Sequence, residues 1–474
     1  MADYESVLKG KYPAKAHCEK VVAHLRNALD EKDVPTTLYL QGQTTHMQED
    51  NDEAAPFRQR RHFLYLSGCL LPDCHLTYHI PTSTLTLFIP PSTPTASSGP
   101  ACLSLPPGPL KIRHRRLPHL RRPPLPPPRT RRPRHHPLHH RSWRHPPPPS
   151  DLTSAFPTLN ETTLHPTIDT CRVTKDAYEI ALLKKANAIT ASAHTAALRK
   201  IPSATNETEL VGQFLCTCVS AGAKKQAYSG IFGCGANAAT LHYQHNDEVL
   251  SPSKRVVLID AAAEWEGYCA DVTRTMPLHP EGFDRESAQI YVIVEQMQNA
   301  CFALLKGGVK WEEVHELAHE IAVEGLLSIG IFKRGGEGDD RKGEIMRQRT
   351  SVAFFPHGLG HYLGMDCHDT GGNANYEDED PMFRYLRVRG TVPEGAVVTV
   401  EPGVYFCRFI VEPYLRDERH RRFIDEEVLE RYWDVGGVRI EDDVVITKDG
   451  YENLTTAPKG IEEMMRVMYS EADG

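Results

Sequence analysis

The chain has 474 residues, of which 40% are hydrophobic and 24% are charged. This length leaves room for two or three domains, and this composition excludes collagen, a coiled coil and a wholly disordered chain. With 54 Lys and Arg against 62 Asp and Glu, the net charge of −8 argues against nucleic acid as a partner.

The lack of a signal peptide or membrane span and the pattern of the cysteines predict a cytoplasmic protein with no membrane partner. Residues 1–12 lack the apolar core of a signal peptide, and no run of 18 apolar residues occurs. The 12 cysteines include no CxxC pair and show no regular spacing, so we expect free thiols rather than a disulfide framework or a structural zinc site.

Residues 1–90 predict a small α/β domain. The apolar spacing predicts a helix over Ala14–Leu29. Short apolar runs predict three strands, over Thr37–Gln41, His62–Ser67 and Ser83–Ile89.

Residues 91–173 form an irregular segment and linker in this interpretation. Residues 91–150 hold twelve Lys and Arg and no Asp or Glu, and their proline density excludes regular helix. Three explanations compete: a disordered linker, a basic tail for a partner, or a stretch translated from the wrong reading frame. We favour the third, because GC-rich coding sequence read out of frame yields runs of Arg, Pro, His and Leu without acids.

Residues 174–467 predict a second, larger domain. Apolar residues at helical spacing predict a helix over Lys175–Arg199. Further helices are expected over Arg285–Leu305 and Trp311–Ile329, and strands over Arg255–Ile259, Ala270–Thr273, Ala396–Val400, Gly403–Phe406 and Val438–Ile440.

Two carboxylates flank a predicted β-hairpin in this domain. Asp260 ends the apolar run Val-Val-Leu-Ile, and Asp271 follows 11 residues later, with a turn at 264–267 between them. Neighbouring anions repel each other, so the pair favours either a bound metal or a shared proton. Ordinary exposed carboxylates on a hairpin are the alternative.

Imidazoles and further acids occur near the carboxyl end. His357, His361 and His368 lie within 12 residues among glycines, a density far above background. Glu401 and Glu441 each close an apolar strand, where an acid is costly unless it is paired or bound to a metal.

The order Asp260, Asp271, His361, Glu401, Glu441 resembles the metal-ligand set of the pita-bread metallopeptidases, peptidase family M24B. The motifs HGLGH at 357–361, VEPGVYF at 400–406 and GGVRIEDD at 436–443 are typical of its proline-directed branch, in the fungal form. The resemblance is strong over 174–463, weaker over 12–90, and breaks across 91–150. It implies an α/β (α+β) fold, with an aminopeptidase P-like N-terminal domain before a C-terminal pita-bread catalytic domain.

The resemblance implies a site with two divalent metal ions per subunit. Asp271 and Glu441 would bridge the ions, Asp260 would complete one, and His361 and Glu401 the other. Four carboxylates and one imidazole suit Mn²⁺. A hydroxide between the ions would attack the bond before a penultimate proline.

The resemblance also assigns residues around the substrate. His242 and His368 would stabilise the oxyanion and transfer a proton, His357 would lie beside the proline ring, and Glu401 would serve as the base. Arg387 and Arg439 would bind a peptide carboxylate.

The implied activity is that of an Xaa-Pro aminopeptidase, acting on peptides with proline second, and the family suggests a homodimer. Two alternatives stay open. A prolidase would cleave only dipeptides, and a pita-bread peptide-binding module would catalyse nothing.

Overall fold

The computed structural model describes residues 4–90, 160, 162–336 and 338–469. The predictions for residues 91–150 lie outside the described residues. Within the described ranges the α-helices are Tyr4–Leu8, Ala14–Ala28, Arg61–Ser67, Leu164–Val173, Ala177–Lys200, Glu207–Ser220, Arg285–Phe302, Trp311–Ser328, Arg341–Arg347, Arg408–Arg416, Glu418–Arg421, Glu426–Leu429 and Ile461–Tyr469. None of these helices is both long enough and apolar enough to cross a membrane.

The strands form small antiparallel sheets. They are Thr37–Gln41, His75–His79, Thr84–Phe88, Lys225–Gln226, Ile231–Cys234, Val256–Asp260, Ala263–Trp265, Tyr268–Cys269, Thr273–Pro277, Val309–Lys310, Thr391–Val392, Val397–Val400, Gly403–Tyr405, Gly437–Arg439, Asp442–Ile446 and Tyr451–Asn453.

The chain divides into two compact units. The smaller comprises residues 18–58 and 71–168, and the larger comprises 1–17, 59–70 and 169–474. In the smaller unit, Thr37–Gln41 and Thr84–Phe88 pair with the two edges of His75–His79 in one antiparallel sheet.

The prediction of a strand over His62–Ser67 is wrong. Arg61–Ser67 is a helix of the larger unit, and six of its seven residues are buried. A short apolar run that is buried on all sides has no period, so it does not distinguish a strand from a helix.

The larger unit packs around one hydrophobic core. Helices Arg285–Phe302 and Trp311–Ser328 supply the side chains Ile290, Val294, Trp311, Val314 and Ala318, all fully buried. Their apolar residues recur every three or four positions, as the sequence predicts for helices that bury one face.

Strand Val256–Asp260 is central to the first sheet of this unit. It pairs with Ile231–Cys234 and with Thr273–Pro277, so that Asp260 lies opposite Thr273. The connection turns at Glu266 and Gly267, which have φ angles of 50° and 84°. The predicted hairpin is therefore present, but the predicted strand Ala270–Thr273 is wrong: residues 270–272 connect to a strand that begins at Thr273.

Two further strand pairs lie along the chain after residue 396. Val397–Val400 pairs with Asp442–Ile446, and Gly403–Tyr405 pairs with Gly437–Arg439. The Glu441 N–H donates to the Thr273 carbonyl over 3.1 Å, which joins these strands to the first sheet.

Candidate metal centre

Strand ends bring the predicted acids together. Asp260 ends its strand, and Asp271 lies two residues before the paired strand Thr273–Pro277. Val400 pairs with Asp442 in an antiparallel strand pair. Glu401, which follows Val400, and Glu441, which precedes Asp442, therefore lie at the same end of this pair. The four carboxylates lie close together because each is at or near the end of a strand in these two sheets.

The donor atoms form overlapping groups. Asp260, Asp271 and Glu441 offer oxygens that all lie within 4.8 Å of one another. His361, Glu401 and Glu441 form a second such group, so Glu441 belongs to both. Asp271 also reaches the second group, because its Oδ2 lies 3.2 Å from His361 Nε2. The geometry thus offers two neighbouring ion positions, with Asp271 and Glu441 between them.

A close backbone approach places His361. The His361 N–H donates to Thr399 Oγ1 over 3.0 Å, and Thr399 N–H donates to the His361 carbonyl. A Cβ on Gly360 would lie 2.0 Å from the Thr399 carbonyl oxygen, so only glycine fits there. The His361 Nδ1–H donates to the Tyr362 carbonyl over 3.0 Å, so Nε2, which lies beside Asp271 and Glu401, is the nitrogen that would bind a cation.

The electrostatics of the cluster fit a bound cation pair. Burial and, to a smaller extent, the charges of Asp271 and Asp260 raise the pKa of Glu401 while His361 and Arg439 oppose them, and the net pKa is about 7. Burial and the neighbouring carboxylates likewise raise the pKa values of Glu441 and Asp260. Burial also works against the Asp271 anion, but the hydrogen bond with His361 lowers the pKa of Asp271. Two divalent ions would compensate the charge of these buried carboxylates.

Arg439 is held inside this cluster. Its Nε donates to Thr273 Oγ1 over 3.0 Å, its Nη1 to Tyr405 Oη over 2.8 Å, and its Nη2 to Asp260. Tyr228 Oη donates to the other oxygen of Asp260. These bonds use all three nitrogens of Arg439 and fix the Asp260 carboxylate.

Two of the predicted imidazoles are neutral and line the same site. Burial and the charge of Arg439 lower the pKa of His357 to about 3, and burial and His361 lower that of His368 to about 3. His357 Nε2 accepts from Tyr405 Oη over 2.8 Å, and its Nδ1–H donates to the Gly358 carbonyl over 2.9 Å. The His368 ring lies edge-on to that of His361, with 4.4 Å between the ring centroids.

The other two predicted residues lie near these imidazoles. His242 is exposed, and its charge contributes to lowering the pKa values of both His357 and His368. Arg387 is half-buried, lowers the pKa of His368 through its charge, and donates to Tyr376 Oη over 3.2 Å.

Sequence reasoning missed three side chains of the site. Cys367 donates its S–H to Asp271 Oδ2 over 2.8 Å, and Tyr228 and Tyr405 bind Asp260 and Arg439. Tyr405 lies in the VEPGVYF motif and Cys367 lies beside His368, so the sequence offers a signal for both. Tyr228 lies outside every motif considered.

Comparisons with known proteins agree with this geometry. The model of metallopeptidase family M24 matches residues 181–448, and that of the aminopeptidase P N-terminal domain matches residues 18–98. A probable Xaa-Pro aminopeptidase of Pyricularia oryzae is 51% identical and covers 99% of each chain. One from Talaromyces stipitatus is also 51% identical and covers 98% of each.

Solved structures give the same result. Zinc-substituted aminopeptidase P of Escherichia coli, in complex with product, has a TM-score of 0.69 at 26% identity, covering 95% of this chain and 98% of its own. Proline aminopeptidase P II of Yersinia pestis has a TM-score of 0.68 at 25% identity, covering 95% and 99%.

The chain belongs to metallopeptidase family M24. It carries the aminopeptidase P N-terminal domain ahead of a C-terminal pita-bread domain, and it is a metallo-aminopeptidase. The predicted family and mixed α/β fold are confirmed.

Proposed function

We propose that this protein is an Xaa-Pro aminopeptidase, which removes the first residue from peptides with proline at the second position. The observation that supports this most directly is the pair of overlapping donor groups that share Glu441 and meet at Asp271. The names of the relatives in Pyricularia and Talaromyces agree with it.

Two divalent metal ions would be held by Asp260, Asp271, His361, Glu401 and Glu441. When bound, such a pair supplies Lewis acidity and lowers the pKa of a water, which then acts as a nucleophile at neutral pH. The oxygen-rich donor set favours Mn²⁺ among the candidates. Arg439 and Tyr228 hold Asp260 in place from the other side, as outer partners of metal ligands commonly do.

Three histidines would act on the substrate. We assign His242 and His368 to hydrogen bonds with the oxygen of the scissile carbonyl, where negative charge develops, and to proton transfer toward the proline nitrogen. Glu401 would accept the proton of the nucleophile. His357 would form the wall beside the proline ring, since both of its ring nitrogens already have protein partners.

The importance of Arg387 for turnover would differ between an aminopeptidase and a prolidase. Arg439 is engaged by three protein groups, whereas the Arg387 guanidinium donates to Tyr376 Oη and its charge acts on His368. We therefore assign to Arg387 any contact with a substrate carboxylate. In a prolidase this contact would be essential, but in an aminopeptidase the substrate's carboxylate lies farther along the peptide.

The test compares three substrates with the Mn²⁺-loaded protein: Xaa-Pro, Xaa-Pro-Yaa and Xaa-Ala-Yaa. We expect cleavage of Xaa-Pro-Yaa, little cleavage of Xaa-Ala-Yaa, and activity that a chelator removes and Mn²⁺ restores. Arg387→Ala should change the preference between dipeptide and tripeptide rather than abolish turnover. Cleavage confined to Xaa-Pro would establish the prolidase instead, and no cleavage of any proline peptide would leave only the binding module.

We also propose that the enzyme works in the cytoplasm as a homodimer. No two of the eleven cysteines in the described residues form a disulfide with each other, which is typical of a reducing compartment. Sedimentation of the purified protein tests the dimer, which a monomer mass would overturn.

A further inference from the structure

The side chains of the segment Asp366–Asp369 contact two different parts of the larger unit. Cys367 donates to Asp271, and His368 packs edge-on against His361, so these two contact the metal-ligand cluster. Asp366 and Asp369, one on each side of them, instead bind basic residues that belong to other parts of the larger unit.

Arg172 is the residue that joins the two ends of this segment. Its Nη2 lies 2.7 Å from Asp366 Oδ2 and 2.6 Å from Asp369 Oδ1. Lys175 Nζ binds the other oxygen of Asp369 over 3.0 Å, and Arg61 Nε binds the other oxygen of Asp366 over 3.3 Å. Both oxygens of both carboxylates are thereby engaged.

This arrangement is buried and tightly packed. The side chains of Arg172 and Asp369 are 3% and 1% exposed, so removing one partner would leave the other buried without its charge compensation. A Cβ on Gly364 would lie 2.3 Å from Asp369 Oδ2, and one on Gly371 would lie 2.4 Å from Val173. The backbone before and after the segment thus has little freedom to shift.

We propose that Arg172 is a positioning residue for His368. It fixes the Asp366–Asp369 segment by both ends, and this fixes the imidazole between them at the substrate. The inference rests on the proposed function, because it assigns Arg172 to the role that His368 has in that reaction. Arg172 itself touches no substrate.

A double-mutant cycle tests the proposal. Arg172→Lys keeps the charge but replaces the rigid guanidinium, whose Nη2 contacts both carboxylates, with a flexible ammonium. Asp366→Asn is a milder change at a more exposed partner. For Xaa-Pro-Yaa we expect either variant to lower kcat with KM little changed, by about 10–100-fold for Arg172→Lys, as for a misplaced catalytic group. In the His368→Ala background, Arg172→Lys should have little further effect.

A second readout does not depend on activity. In the metal-free protein, alkylation of Cys367 by iodoacetamide reports whether the segment keeps its place against Asp271. We expect faster alkylation of Cys367 in Arg172→Lys, with no change at the fully buried Cys301, which controls for unfolding. Arg349→Lys is the control, because Arg349 likewise forms an ion pair with an aspartate, Asp380, outside the Asp366–Asp369 segment.

Three results would overturn the proposal: an equal loss of kcat from Arg172→Lys with and without His368, an equal loss from Arg349→Lys, or unchanged alkylation of Cys367. If wild-type protein cleaves Xaa-Pro-Yaa, these results contradict the role of Arg172 alone. If wild-type protein cleaves no proline peptide, the proposed function has failed, and the alkylation of Cys367 still tests the placement of the segment.

Discussion

Two buried acidic regions of the larger unit differ in how their charge is compensated. Around Asp366 and Asp369, every oxygen of these two carboxylates pairs with Arg61, Arg172 or Lys175. Arg61 also binds Glu264, and Arg172 lies 3.6 Å from Asp169. In the ligand cluster, four carboxylates meet one arginine and one histidine. The first region is balanced by the chain itself, whereas the second is not.

The difference separates a structural role from a binding role. In the balanced region, the charges of Asp369 and Asp366 keep Arg172 protonated and raise its pKa despite burial. In the ligand cluster, burial and mutual repulsion raise the pKa values of Asp260, Glu401 and Glu441. Binding a cation would therefore stabilise the folded protein more at the ligand cluster than at the balanced region.

Removing a shared ligand tests the unbalanced region with the largest expected effect. Asp271→Ala should abolish metal binding and activity, a loss beyond the about 10–100-fold usual for residues that only support a ligand. Elemental analysis and turnover of Xaa-Pro-Yaa measure it. Glu427→Ala, which removes an exposed carboxylate, is the control. Full activity of Asp271→Ala would refute the assigned site.

Gln298 supports the ligand cluster through hydrogen bonds and adds no charge to it, so its replacement separates positioning from charge compensation. Its Nε2 donates to the carbonyls of Val400 and Ile440, the residues just before Glu401 and Glu441, over 2.9 and 3.3 Å. Gln298→Met should weaken metal binding about tenfold and lower the free energy of unfolding by about 1–3 kcal/mol. Titration calorimetry with Mn²⁺ and denaturant unfolding measure the two effects.

Gln289→Met, on the same helix, is the matched control for Gln298. Gln289 accepts from Tyr432 Oη over 2.8 Å. We expect its replacement to leave metal affinity unchanged. Equal weakening by both variants would mean that Gln298 acts only through the stability of the helix.

The last prediction concerns His17, a buried titratable side chain beside two acids. His17 Nε2 lies 2.9 Å from Asp176 Oδ2 and 3.7 Å from Glu179 Oε2. Burial by itself lowers the pKa of His17, but the hydrogen bond to Asp176 and the charge of Glu179 raise it above its ordinary value overall.

Because the pKa of His17 is higher in the folded state, protonation adds stability below the unfolded pKa of about 6.5. This contribution is lost as the pH rises through the folded pKa. His17→Asn should therefore cost about 1.5–3 kcal/mol at pH 5.5 and less at pH 8.5, measured by urea unfolding at each pH. A cost that does not change with pH would show that His17 stays neutral.

The sequence predicts the ligand cluster better than its surroundings. Asp260, Glu401 and Glu441 end or follow apolar strands, so their place at strand ends can be read from the chain. The full ligand set, with Asp271 and His361, is what the family resemblance implies. Strand pairing then brings them together, as the register of Val400 with Asp442 shows.

The supporting residues could not be predicted in this way. Arg172 is 194 positions from Asp366, and Tyr228 is 32 positions from Asp260, and no local pattern links such pairs. Helix Arg61–Ser67 was mistaken for a strand for a related reason, since burial on all sides removes the periodicity that separates the two.

The most direct test of the central claim is a crystal structure of the protein grown with Mn²⁺, with anomalous diffraction recorded at the manganese edge. The account predicts two anomalous peaks per chain, with Asp271 and Glu441 contacting both ions, Asp260 one, and His361 and Glu401 the other. A single peak, or peaks away from these five side chains, would contradict it.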